Sequence, residues 1–278
     1  MHNTCKTALV SICLLGLSAN SALTGELAER GRDILNKNQH AVVTVETVVK
    51  ASGAGGRSSE TKQEITGTVV DPSGLTVLAL SACDPTEMYR RVSESYKVEI
   101  EVSDIKILLG DGTEAPAEIV LRDKDLDLAF VRPKAKPAAS MTAVDLGKSG
   151  PAQPLDDVVT LNRLNKAASR AYAVSIEHIA AVIQKPRTFY IPDGSLSTTS
   201  LGSPAFLPDG RILGVFVMRA VSSAGDGSSN YRQNMTSIIL PAEDVLKAAK
   251  QAPEVKDEGE KKDAPMSPGQ PKAGVEKK

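Results

Sequence analysis

The chain has 278 residues, a formal net charge of -1, 41% hydrophobic and 24% charged residues, only 3% aromatics and no tryptophan. That balance gives no global attraction to nucleic acid or to anionic membranes. It leaves any core to be built from Val, Ile, Leu and Ala, in one large domain or two small ones.

Residues 1–22 read as a signal peptide. Lys6 supplies a positive start, Thr7 to Leu17 form an apolar run too short to span a bilayer, and small residues follow at Ser18, Ala19, Ser21 and Ala22. Ile12 before Cys13 does not suit a lipoprotein signal, so the expected product is periplasmic or extracellular, with no integral membrane anchor in its mature form. Cys5 and Cys13 leave with the leader. Cys83 alone remains, read as a plain buried thiol in a chain without an intramolecular disulfide.

Glu26 to Asn38 has helical spacing, with Leu27, Ile34 and Leu35 on one side. From Ala41 the pattern turns to β-branched runs. Strands are predicted at Val42–Val49, Glu64–Val70, Thr76–Leu80, Asp104–Leu109, Ala115–Leu121 and Leu128–Arg132, and a short helix or loop at Thr86–Ser95. Pro133–Ala139 reads as a linker. A second series follows at Val158–Asn162, Tyr172–Ile176, Ala180–Gln184, Thr188–Ile191, Ser203–Leu207, Ile212–Met218 and Ser237–Leu240, interrupted by a Gly/Ser loop at Ser222–Asn230. Pro241–Lys250 reads as a closing helix and residues 251–278 as a disordered tail. The expected class is all-β: two packed six-stranded β-barrels with short N- and C-terminal helices, residues 23–132 carrying the first and 140–250 the second.

Three segments carry a resemblance. Asp193-Gly194-Ser195-Leu196-Ser197-Thr198-Thr199-Ser200-Leu201-Gly202-Ser203-Pro204, followed by Asp209-Gly210-Arg211-Ile212-Leu213-Gly214, resembles the nucleophile loop and hairpin of HtrA/Deg-type serine proteases. The match rests on Asp193, Gly202, Pro204, Asp209, Gly210 and Gly214. Gly67-Thr68-Val69-Val70-Asp71-Pro72-Ser73-Gly74 resembles the family's first-barrel hairpin, and seven residues on from Gly74 comes Ser81. Asp123-Lys124-Asp125-Leu126-Asp127-Leu128-Ala129 resembles D-x-x-x-D-L-A. The resemblance runs from about Gln39 to Lys250 and implies a trypsin-like serine protease fold, without the family's PDZ domain.

It also implies triad positions. The orienting carboxylate falls on Asp127, but the histidine position is Ser81 and the nucleophile position is Leu201. The oxyanion-loop positions are Thr199, Ser200 and Gly202, with Thr199 where the family has glycine. A leucine cannot attack a carbonyl and a serine cannot take the proton of a nucleophile. Losing nucleophile or base alone costs on the order of 10^6 in turnover. No catalytic, cofactor or metal residues are therefore expected, and the first reading is a pseudoprotease that binds an extended peptide or protein in the inter-barrel cleft. Two alternatives stand: an active endopeptidase with its nucleophile at Ser200 or Ser203, and a structural component of an exported assembly. His40 and His178 are read as structural or exposed. No phosphate loop, C-x-x-C pair or H-E-x-x-H motif is present, and no basic stripe suits nucleic acid.

Overall fold

Short β-branched runs separated by Asp-Gly and Pro-Ser-Gly turns cannot bury both faces singly, and here they close on themselves. The computed structural model describes residues 25–53, 58–86, 99–194, 200–220 and 235–254. The first barrel contains β1 (Val42–Ser52), β2 (Ser58–Val69), β3 (Thr76–Ala79), β4 (Glu99–Leu108), β5 (Glu114–Asp123) and β6 (Leu128–Pro133), closed in the order β1-β2-β3-β6-β5-β4. The second contains β7 (Asp157–Arg163), β8 (Tyr172–Ile183), β9 (Phe189–Pro192), β10 (Pro204–Phe206), β11 (Ile212–Ala220) and β12 (Met235–Pro241), in the order β10-β11-β12-β9-β8-β7. All pairings between these strands are antiparallel, and register shifts at Glu46/Val48, Ile119/Leu121, Ile179/Ala181 and Ala205/Phe206 supply the bends that closure requires.

Each barrel has an aliphatic filling with a few aromatics. Val45, Ile65, Leu78, Ile107 and Phe130 fill the first, and Val158, Ile179, Leu213, Phe216 and Ile239 the second. The larger cluster runs on without a break from the first barrel into Val159, Leu161, Phe206 and Val217 of the second. The barrels thus share one apolar seam rather than touching through polar surfaces. Gly214 is required where β11 passes β12, because a Cβ there would lie 1.9 Å from the Leu240 carbonyl oxygen.

Both terminal helices reach past the barrel they adjoin in sequence. The leading helix, residues 25–38, precedes the first barrel in sequence, yet Gly31 lies against Val159 of β7 in the second. The closing helix, Ala242–Ala249, packs on β11 and β12 of its own barrel, and its Leu246 and Ala249 help line a cavity of about 640 Å³ that Val70, Leu75 and Arg132 of the first barrel also line. Glu243 and Asp244 in its first turn complement the helix dipole.

The predicted strands are all present with shifted ends, with two corrections. Tyr172–Ile176 and Ala180–Gln184 are one strand, β8. The apolar phase changes along it: Val174 and Ile176 point outward, whereas Ile179 lies in the core. The backbone alternates without a break from Val174 to Ile179, so it is the apolar residues that move from the outer to the inner face, and in sequence that looks like a strand break. Leu80, predicted at the end of a strand, instead begins a one-turn helix, Leu80–Cys83. The predicted leader, most of Thr86–Ser95, the Ser222–Asn230 loop and the tail beyond residue 254 lie outside the described residues.

Candidate functional site

The turn between β5 and β6 is shaped by Asp123, whose Oδ1 accepts the amide N–H groups of Asp125 and Leu126. It delivers Asp127 with a φ of 57°, a left-handed conformation that aspartate tolerates better than most residues. The Asp127 carbonyl accepts Leu80 N–H at 2.9 Å, which anchors the start of the one-turn helix. Ser81 stands on that helix beside the carboxylate. Its N–H donates to Asp127 Oδ1 at 2.7 Å and its hydroxyl to Oδ2 at 2.9 Å. A third donor arrives from the second barrel, where Met218 N–H of β11 reaches Oδ2 at 2.7 Å. One carboxylate therefore ties the one-turn helix of the first barrel to a strand of the second.

Burial raises the Asp127 carboxyl to about 6, outweighing the three hydrogen bonds, which pull in the opposite direction. Ser81 is the only side chain that donates to it among the described residues. Neither histidine takes that place. His40 meets Tyr172 edge-on, with ring centroids 5.7 Å apart, and His178 lies between Asp157 and Asp193 at 3.1 and 3.2 Å.

Leu201 is 3% exposed and belongs to the core cluster that spans both barrels. Gly202, which follows it, fixes the loop. Its φ is 89°, and a Cβ there would lie 2.1 Å from the Thr66 carbonyl oxygen of β2. The Gly202 N–H donates to Phe216 O at 2.8 Å, and its carbonyl accepts the Thr68 hydroxyl at 2.7 Å. With its amide committed to β11, Gly202 has no N–H left to polarise a bound carbonyl. Thr199 lies outside the described residues.

Beneath the loop runs a polar network centred on Asn162 of β7. Its Oδ1 accepts the Thr66 hydroxyl at 2.9 Å, the Ser203 hydroxyl at 3.3 Å and Arg163 N–H at 2.7 Å, while its Nδ2 donates to Ser200 Oγ at 3.3 Å. Ser203 is fully buried and Ser200 nearly so. Both hydroxyls are thus bound to a carboxamide, which cannot take a proton from them. Arg163 follows, with its guanidinium 4.0 Å over the Tyr172 ring. Cys83 is buried, and desolvation pushes its thiol up to about 12, which suits an inert core residue rather than a nucleophile.

The structure thus gathers Asp127 and Ser81 through direct bonds, and seats Gly202, next to Leu201, against the Thr66 backbone of the first barrel. Sequence reasoning missed Met218, Thr68 and Asn162. Met218 acts through its backbone amide, for which a side chain gives no cue. The two polar residues sit in strands at positions that alternation alone assigns to packing.

The comparisons agree with this architecture. The family model described as a trypsin-like peptidase domain matches residues 34–215, and the chain belongs to that family. No curated protein matches it.

Proposed function

We propose that this member of the trypsin-like peptidase family is exported and cuts no peptide bond, and that it serves as a protein-binding scaffold. The observation that carries the reading is the occupancy of the carboxylate. Asp127, at the position whose family role is to orient an imidazole, has its oxygens taken by Ser81 and by the Met218 amide. The nucleophile position holds a buried leucine. Acyl transfer needs a nucleophile, a base and an orienting group within hydrogen-bond reach of one another, and only the last has a candidate here.

The burial of Leu201 also bears on the kind of binding. An apolar side chain in the inter-barrel seam, with the Met218 amide directed at Asp127, favours a closed centre over a peptide threaded through it. This supports a scaffold that presents its outer surfaces to a partner. The endopeptidase alternative would have to use Ser200 or Ser203, and the bonds of both to Asn162 weigh against it.

A fluorophosphonate probe and a casein assay test the reading together. We expect no labelling and no turnover above buffer. Labelling lost in Ser200→Ala or Ser203→Ala would establish the endopeptidase instead.

A further inference from the structure

Among the described residues the exposed large hydrophobic side chains are Leu155, Val174 and Ile176, at 83, 36 and 40% exposure, and all three lie at the β7–β8 pair of the second barrel. Two of them share a strand and a face. Val174 and Ile176 are two residues apart on β8, so their side chains point the same way and stand side by side on the outside of the barrel.

Among the described residues the backbone here is also open. β8 pairs with β7 along Tyr172–His178, but its described pairing with β9 begins only at Ile179. The direction of each peptide group follows from the flanking bonds. Leu164 N–H donates to Ala171 O, and Ile179 N–H to Asp156 O, so Ala171, Ala173, Ser175, Glu177 and Ile179 face β7. Tyr172, Val174, Ile176 and His178 face the other way. His178 is satisfied there, since it exchanges bonds with the Asp193 N–H and carboxylate. Val174 and Ile176 have no described partner on that side. An edge with free N–H and C=O groups and exposed aliphatic side chains on the same residues is a template for another strand.

The charges around the edge indicate which strand. Past the Tyr172 end lie Lys166 and Arg170, the latter ion-paired to Glu64 of the first barrel, and around the His178 end lie Asp157 and Asp193 on either side of the His178 ring. An antiparallel copy related by a two-fold axis through Ser175 would set Val174 opposite Ile176 of its mate, as a hydrogen-bonded pair. It would also bring each basic end against an acidic end. The edge is self-complementary in register, and Lys166 at one end meets the carboxylates at the other.

We propose that β8 is a homodimerisation edge, on which two copies of this chain pair antiparallel through Val174 and Ile176 to join their second barrels into one continuous sheet. The proposal is independent of whether the chain has catalytic activity.

Sedimentation equilibrium of the full chain tests it. A small edge contact of this kind is expected to associate weakly, with Kd on the order of 10 µM. Ile176→Lys and Val174→Lys each set a lysine against an aliphatic side chain of the mate and bring two like charges diagonally across the axis, and should each weaken association at least roughly tenfold. Both residues are part-exposed, so the circular dichroism spectra and melts should match wild type. Lys166→Glu should weaken association and added salt should do the same, as opposed charges require. Hydrogen exchange supplies the second arm. The Val174 and Ile176 amides should exchange freely in dilute monomer and become protected as dimer forms. A chain that stays monomeric at roughly 30 times that Kd would overturn the proposal. So would dimerisation indifferent to both lysine variants, or protection of the two amides in dilute monomer, which would mean that the edge is already covered.

Discussion

Replacing Asp127 with asparagine separates the electrostatic cost of this carboxylate from its role as a tie between barrels. Its carboxyl is raised from 3.8 to about 6 because burial disfavours the anion. A group that holds its proton more firmly when folded adds stability that is complete below its unfolded pKa and lost as pH rises through the folded one. The gap, at about 1.4 kcal/mol per pH unit, is worth about 3 kcal/mol between about pH 4 and pH 7. Asparagine has no such titration, but it has a defect of its own. A carboxamide offers one acceptor oxygen where three donors converge on two, so either Ser81 N–H or Met218 N–H must face an NH2 group. That costs about 1–3 kcal/mol at every pH. Urea unfolding of both proteins, at fixed ionic strength across that range, gives the difference in stability with all other titrations cancelled. Wild type should lead clearly at pH 4, and its lead should shrink by about 3 kcal/mol until the variant equals or passes it near pH 7. A lead that grew with pH would refute the reasoning, because it would mean that the three donors outweigh burial and hold the carboxyl below 3.8.

Leu201→Ser should lower stability by roughly 3 kcal/mol through lost burial without creating activity, read by urea melts and a fluorogenic peptide assay. Gly202→Ala should cost more, above about 3 kcal/mol, since the methyl group meets a backbone oxygen and the backbone is left-handed, and a thermal melt will show it. Thr68→Val keeps the shape but strands the Gly202 carbonyl, so about 1–2 kcal/mol should be lost in the same assay. Cys83 should resist a thiol reagent in the native protein at pH 8 and react at once in urea. After expression in an exporting host, intact mass should place the first residue near Ala22 or Leu23, and a chain that keeps its first 21 residues would count against export.

Much of the architecture was legible because its cues are local. Alternation, the Asp71-Pro72-Ser73-Gly74 and Asp209-Gly210 turns and the helical spacing of Leu27, Ile34 and Leu35 each bear on a few neighbouring residues. The single strand β8 was misread for the same reason, since its apolar phase reverses partway and only the register against β7 and β9 shows that the backbone continues. At the candidate site, Asp127 and Ser81 could be placed by counting along motifs. Their mutual bonds could not be foreseen, because a serine at a histidine position is as easily a surface residue as a partner. Asn162 and Met218 were illegible on different grounds. One gathers groups from separate strands and the other contributes only its amide, so both depend on tertiary position and neither on residue type in a pattern.

The reach of the terminal helices has a consequence for what counts as a separable piece. The boundary near residues 134–139 divides the sequence but not the object, because the leading helix rests on the later barrel and the closing helix faces the earlier one. A cut in that stretch would yield two fragments, each still holding a limb of the other, and a nicked molecule should travel through a sizing column as if whole. Expressed alone, each half would lack the cover that its counterpart lends it. The chain is in this sense woven rather than tandem.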